Sequence, residues 1–250
     1  EKDFPKLFNL SDQSLNNYIN QNFHIFFKKN IKPKKKIIEL GCAGSIWPVY
    51  FNNYFSSKVS GLDYSKEGCF LSKKILEFYK IKGDIYCSDL FKPPPSLQKK
   101  YDYVVSFGLV EHFENTADCL KNCSRYLKDD GIMITFIPNM NGIPGFLQKL
   151  VDKDIFDIHV PLSKEKFERE HHKAGLEIKS CNFFLPISLC ALNSGKFSKS
   201  KLEKSFRKFL SITTKSFWIA ERYGLRIQPN KVLSPYLFAI SKKKNNFFLK

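Results

Sequence analysis

Lys36-Ile-Ile-Glu-Leu-Gly-Cys-Ala-Gly-Ser45, followed after a gap by Val59-Ser-Gly-Leu-Asp63, is the stretch on which the fold turns. It reads as a short buried strand, a turn of small residues and a second strand that ends in a carboxylate. An apolar strand stopping at Gly41 lets the backbone turn sharply, and Ala43, Gly44 and Ser45 let a ligand lie almost against the main chain. Asp63, 22 residues beyond Gly41, stands where an acidic side chain accepts both ribose hydroxyls of an adenosine. Small residues after a strand also serve simply to let a helix pack closely, so the pocket reading needs support from the rest of the chain. The spacing separates two kinds of ligand. A dinucleotide fold places G-x-G-x-x-G so that a helix N-terminus meets a pyrophosphate. The corresponding positions here are Gly41, Ala43 and Ile46, with Trp47-Pro48 directly behind, and Ile46 blocks that approach. A cofactor without phosphate does not require it.

Further strands follow at regular intervals. Ile85-Tyr86-Cys87 is a third strand running into the turn Ser88-Asp89-Leu90-Phe91, and Tyr101 to Phe107 is a fourth, continuing through Gly108 to Phe113. The spacing predicts a helix over 115–127, capped by Asn115 or Thr116, with Ala117, Leu120, Ser124 and Leu127 on one face and Asp130-Gly131 as its stop. Gly131 to Pro138 reads as a fifth strand. Glu165 to Phe184 reads as a helix, a tight turn at Ala174-Gly175-Leu176 and a sixth strand, and Tyr236 to Ser241 as a seventh.

The run Glu39-Leu-Gly-Cys-Ala-Gly-Ser45 resembles motif I of the class I S-adenosylmethionine-dependent methyltransferases, and the later segments resemble that family's strands and turns in the right order over residues 36–138. The resemblance implies an α/β, Rossmann-like sheet of seven strands, mostly parallel with an antiparallel last strand, helices on both faces and a helical cap. It implies S-adenosylmethionine as cofactor, held by Glu39, Gly41, Cys42, Ala43, Gly44, Asp63, Tyr64, Ser88, Asp89, Leu90, Phe107 and Gly108. In the family the carboxylate at the position of Asp89 accepts from the adenine amino group. Ala43 and Ser45 stand where glycine is commoner, as does Ser88, and all three substitutes are small.

Three segments fall outside this pattern and are expected to close over the substrate edge. The first is Ser11 to Lys29, a predicted helix with Leu15, Tyr18, Ile19, Asn22 and Phe26 on one face. The second is Asn139 to Leu162, with turns at Asn141-Gly142 and Pro144-Gly145. The third is Asn193 to Ser234, where Phe206, Phe209, Leu210, Thr213 and Phe217 share a face while Lys204, Arg207, Lys208 and Lys215 fall elsewhere, a basic amphipathic pattern. Such a helix either packs its phenylalanines on the core as a lid or lies on a membrane surface or an RNA groove. The expected division is an N-terminal helical segment over 1–35, a cofactor-binding core over 36–192 and 235–243, a basic helical insertion over 193–234 and a tail over 244–250.

The net charge of +17 is unevenly spread. Residues 37–193 carry 19 basic and 19 acidic side chains, residues 1–36 carry eight against three, and residues 194–250 carry 14 against two. A neutral core with basic flanks suits an anionic partner: nucleic acid, an anionic membrane or an anionic small acceptor. Lys, Asn, Phe and Ile are all abundant, as in a chain of biased composition, and only five of the 41 basic residues are arginine, whereas phosphate recognition recruits arginine forks. The basic flanks therefore read slightly better as compositional, and nucleic acid is the less favoured partner. The seven cysteines, Cys42, Cys69, Cys87, Cys119, Cys123, Cys181 and Cys190, are odd in number and form no C-x-x-C pair, which points to buried free thiols and a cytoplasmic setting. Cys119 and Cys123 share a helix face, but no second pair completes a metal site, and none is expected. The longest apolar run, Phe183 to Leu192, contains Pro186 and is too short to span a bilayer, and Glu1-Lys2-Asp3 opens no signal-peptide pattern. Oligomeric state is not readable.

Methyl transfer is an in-line displacement, so positioning suffices for an amine or thiol, whereas a hydroxyl acceptor gains from a base. His112, beside Glu111 just past the fourth strand, is one candidate base, and its alternative is a structural or cofactor-bonding histidine. His159, in Asp157-Ile-His-Val-Pro161, is the other. His171-His172 faces two ways on one helix, and His24 is expected to pack in the N-terminal segment. The expected activity is methyl transfer to a small or lipid-like acceptor at oxygen, or else nitrogen. The alternatives are an RNA methyltransferase using the basic flanks and a non-catalytic partner subunit of the same fold.

Overall fold

The sheet at the centre of the molecule holds the strands β1 (Lys36–Leu40), β2 (Lys58–Asp63), β3 (Gly83–Cys87), β4 (Tyr101–Phe107), β5 (Leu127–Pro138), β6 (Leu176–Phe184) and β7 (Tyr236–Lys243). A computed structural model describes residues 4–189, 192 and 201–244 of the chain. The strand order is β3-β2-β1-β4-β5-β7-β6. Strands β1 to β5 pair in parallel, and β7 runs antiparallel between β5 and β6. The expected fold is the observed one. Strand β1 is buried at four of its five residues, as a parallel strand covered on both faces requires.

Eight helices are described: α1 (Tyr18–Asn30), α2 (Trp47–Phe55), α3 (Lys66–Phe78), α4 (Thr116–Ser124), α5 (Ile143–Val151), α6 (Lys153–Asp157), α7 (Lys164–Lys173) and α8 (Lys201–Arg222). Local sequence fixes several starts. The side chains of Ser65, Asn115, Asp152 and Ser163 accept backbone N–H bonds at the first turns of α3, α4, α6 and α7. Pro48 and Pro144 sit in the first turns of α2 and α5, where a missing N–H costs nothing. Pro144-Gly145 is therefore a helix start rather than the expected turn.

One core lies between the sheet and helices α4 and α7, with Ile38, Val104, Leu120 and Phe167 among its members. A second lies between the opposite face and α1, α2 and α8, and is mostly aromatic. Phe107 stacks on Trp47 at 4.5 Å and on Phe136 at 5.4 Å, and Phe23 and Phe27 of α1 close the cluster. Burying one such ring contributes roughly 1.5–3 kcal/mol. The predicted row of α1 faces this cluster, with Tyr18 buried and Leu15, Ile19 and Phe26 packed against it, but the most deeply buried rings include Phe23 and Phe27, which lie outside that row.

Three further boundaries differ. Helix α4 ends at Ser124, and Leu127 already pairs with Tyr101, so Asp130-Gly131 lies in an irregular stretch of β5 instead of stopping a helix. Helix α8 packs Leu210, Thr214 and Trp218 inward, while the predicted core residue Phe209 is 63% exposed. Cys42, Cys69, Cys119, Cys123 and Cys181 are buried free thiols as expected, but Cys87 is exposed; Cys190 lies outside the described residues. Residues 193–200 of the insertion and 245–250 of the tail also lie outside them.

Candidate active site

Strand order reverses between β1 and β4, and ligands of open α/β sheets gather beyond the carboxyl ends of the strands at such a point. Leu40 of β1 pairs with Ser106 of β4, so Gly41 and Phe107-Gly108 leave the sheet side by side. Gly41 has φ +76° and Gly44 φ +66°, in the left-handed region that side chains other than glycine's disfavour. The N–H groups of Gly41 and Cys42 both donate to the carbonyl of Leu62, at 2.8 and 3.3 Å. Helix α3 fixes the far side of the loop: Ser72 Oγ accepts from Gly44 N and donates to the carbonyl of Cys42, at 3.0 and 2.7 Å.

Asp63, at the end of β2, accepts from Ala43 N at 3.0 Å through one oxygen and from Ser65 N at 2.8 Å through the other. Each oxygen keeps a further lone pair, so the residue shapes the loop and still accepts from a ligand. Ser88 N donates to the carbonyl of Asp63 at 2.9 Å, and Asp89 accepts from Phe91 N at 2.8 Å, which sets the third turn beside the second. The turns after β1, β2 and β3 thus form one continuous ledge.

Glu39 is buried beneath the ledge. Its Oε1 accepts from Ser45 Oγ at 2.9 Å, and its Oε2 has no hydrogen-bond partner. Burial pushes this carboxyl up to about 8, with Ser45 opposing the shift and the nearby Asp63 charge adding to it. An unpartnered buried carboxylate oxygen is a receptor for a cationic or donor group, which the ammonium of S-adenosylmethionine provides. With the glycine turn and two acceptor carboxylates in the same ledge, these residues fit that cofactor.

Not every nominated side chain faces the ledge. Cys42 is fully buried against Gly61, Leu90 belongs to the core and Phe107 is held in the aromatic stack, so these three offer a ligand their backbone at most. Tyr64 is 81% exposed. Gly108, at φ +64°, carries the chain from β4 into the short helical turn Val110–His112. Ser72 and Gly68 on α3 are the residues sequence reasoning missed; their signal was a small-residue face on an otherwise ordinary amphipathic helix.

Beyond Gly108 the structure brings the two nominated histidines together. Val160 N donates to the carbonyl of Glu111 at 2.7 Å, and the rings of His112 and His159 lie 4.5 Å apart. His112 Nδ1 donates to the carbonyl of Ile158 at 3.1 Å, and His159 Nδ1 to that of Ile155 at 2.6 Å. Because carbonyls only accept, each Nδ1 carries a hydrogen, which in the neutral ring leaves the lone pair on Nε2. Burial, together with the neighbouring His112, holds His159 below the usual imidazole range, against the opposing pull of its bond to Ile155. His171 is different: it is fully buried on α7 against Phe167, and burial lowers it to about 4. His24 meets the Tyr50 hydroxyl at 3.0 Å within the N-terminal packing.

Three residues past His159 the chain enters the wall of a cleft of about 550 Å³. Ile143, Phe146, Leu162 and Phe183 line it, with Lys164 and Lys231 among its polar groups. It lies beside the carboxyl ends of β5 and β6 and includes none of the cofactor-ledge residues.

A family model described as a methyltransferase domain matches residues 12–180. The chain therefore belongs to the class I S-adenosylmethionine-dependent methyltransferases, whose cofactor is S-adenosylmethionine. It is 30% identical over 130 residues to a ubiquinone biosynthesis O-methyltransferase of Pelagibacter ubique, covering 50% of this chain and 51% of that one. It is 28% identical over 109 residues to a ribosomal protein methyltransferase of Thermosipho africanus, covering 44% of this chain and 40% of that one. The matches thus span about half the length of these relatives or less. Among solved structures, PH0226 protein from Pyrococcus horikoshii superposes with a TM-score of 0.60 at 14% identity, covering 96% of each chain. Geranyl diphosphate C-methyltransferase from Streptomyces coelicolor, determined with Mg2+, geranyl diphosphate and S-adenosylhomocysteine, does so at 0.59 and 14% identity, covering 94% of this chain and 86% of that one.

Proposed function

We propose that this protein methylates a hydroxyl oxygen of a small, lipid-like acceptor. The observation that carries the reading is the His112 and His159 pair, whose Nδ1 atoms bond backbone carbonyls, with His112 on the segment that leaves β4 beside the cofactor ledge and His159 brought against it from the residues after α6. When bound, S-adenosylmethionine supplies a methyl carbon activated by sulfonium. The ledge orients it through Asp63, Asp89 and Glu39, and Nε2 of the histidine pair takes the hydroxyl proton as the acceptor oxygen is methylated. The mainly apolar cleft past Leu162 would receive an apolar acceptor body, with Lys164 and Lys231 available to an anionic substituent. The Pelagibacter ubique relative, named for O-methylation in ubiquinone biosynthesis, supports this choice.

The described residues contain no helix long and apolar enough to cross a membrane. The outward face of α8 nevertheless carries Phe209, Ile212 and Ile219 in an exposed row, continued by Tyr223 just past its end, with the exposed Lys204 and Lys208 on the same helix. We assign this face to an anionic lipid surface, from which a lipid-like acceptor is drawn. An amine acceptor, which the ribosomal protein relative suggests, has no need of the imidazole pair and is the second reading.

The test is turnover of labelled S-adenosylmethionine with hydroxylated aromatic lipids and, in parallel, their amine analogues. His112→Ala and His159→Ala are expected to lower kcat on the hydroxyl acceptors by about 100-fold or more, with S-adenosylmethionine affinity unchanged. Equal turnover by the variants, or turnover of the amines alone, would reject oxygen as the acceptor atom.

A further inference from the structure

Glu111 adds a third group to the histidine pair. It is 1% exposed, yet neither carboxylate oxygen has a hydrogen-bond partner. One ligand atom from each of Glu111, His112 and His159 lies within 4.8 Å of the other two. A buried carboxylate without partners is costly, and such groups are commonly resolved by a counter-charge. The histidines are arranged as metal ligands commonly are: each Nδ1–H is anchored on a backbone carbonyl, which fixes the tautomer and aims Nε2. The donor set is carried by two segments, the turn Val110–His112 and the residues after α6, and the bond from Val160 N to Glu111 O clamps them together.

We propose that Glu111, His112 and His159 form a binding site for one divalent transition-metal ion of the zinc class, facing the acceptor. Two imidazole nitrogens and one carboxylate suit Zn2+, Fe2+ or Co2+ better than Mg2+ or Ca2+, which take oxygen ligands. Ligand atoms about 2.0–2.2 Å from an ion stand roughly 3–3.5 Å apart, so the groups, within 4.8 Å of one another, would converge by up to about 1.5 Å, within the reach of side-chain torsions. Three protein ligands leave a coordination position open, the arrangement of catalytic rather than structural sites. The ion's role rests on the oxygen-acceptor reading above; its binding does not. With an ion bound, both Nε2 lone pairs would be committed to it, so the ion would replace the imidazoles in the proton step proposed above: an acceptor hydroxyl at the open position would have its pKa lowered and would release its proton to solvent before transfer.

The experiment is titration of the full-length, chelator-stripped protein with Co2+, followed by its visible d–d absorption. One saturating equivalent is expected, displaced by Zn2+. Glu111→Gln, nearly isosteric, and His159→Ala should each weaken Co2+ binding at least tenfold, and His112→Ala, at an exposed position, supplies a third variant should either lose its fold by circular dichroism. Wild-type protein that binds S-adenosylmethionine but gives no saturable Co2+ spectrum would overturn the site, as would a spectrum unchanged in the variants. Metal binding without turnover of hydroxyl acceptors would leave the site standing and reject only the O-methyltransferase reading.

Discussion

A Cβ on Gly68 would come within 2.5 Å of the Cβ of Ala43, so the bare position on α3 accommodates the side chain that the cofactor loop carries where glycine is commoner in the family. The departure in the loop is matched by an absence on the helix behind it. Gly68→Ala should lower Tm and weaken S-adenosylmethionine binding about tenfold, and adding Ala43→Gly should restore most of both; melts and calorimetry on the singles and the double complete the cycle. Sequence spacing marked Ala43 as a departure but gave no view of its partner, because contacts between residues 25 apart in different elements leave no periodic trace. Glu39 makes a second prediction. Its carboxyl is raised from about 4.5 to about 8, so the fold favours the protonated form. The stability this contributes is fully present below pH 4.5 and is lost as pH rises through about 8, on the order of 5 kcal/mol in all. Glu39→Gln, which still accepts from Ser45, should flatten that part of the pH–stability curve and melt higher than wild type at pH 8. A variant curve parallel to wild type would place the charge elsewhere.

At the scale of elements, strands were easier to read than helix faces. Buried parallel strands are continuous apolar runs between turns, and β1, β2 and β4 stand close to where those runs fall. Helix α8 shows why faces are harder. The apolar arc of this amphipathic helix is wide enough to hold both Phe209 and Leu210, so periodicity alone selected Phe209 along with the packed Leu210. Polar bonds decide the packed face instead: Thr214 Oγ1 accepts from Leu189 N at 3.0 Å, Trp218 Nε1 donates to the carbonyl of Ile187 at 2.9 Å, and Trp218 stacks on Tyr18 at 4.4 Å. Phe209 and Ile212, together with Tyr223 just past the helix, are left outside. Vesicles of anionic lipid should therefore sediment the protein more than neutral vesicles do, and Phe209→Glu with Ile212→Glu should abolish sedimentation without changing Tm. Unaltered sedimentation of the double variant would remove the lipid role of this face.

Across the whole molecule, the apolar runs placed the strands along the chain, and the family resemblance implied their mostly parallel directions and the antiparallel last strand, which the sheet shows. The cofactor ledge was legible for a related reason: its residues follow strand ends at short, fixed distances. The acceptor side was not. His112 and His159 are 47 positions apart, and only the fold sets their rings at 4.5 Å with both protons turned to backbone carbonyls. The reading of the ledge and the histidine pair as one methyl-transfer site depends on a single proposed property, a pocket that binds S-adenosylmethionine through the carboxylate of Asp63. Calorimetric titration of the protein and of Asp63→Ala with S-adenosylmethionine and S-adenosylhomocysteine tests it directly. The account predicts micromolar binding of both by the wild-type chain and at least a tenfold loss in the folded variant; intact, folded wild-type protein that binds neither would contradict it.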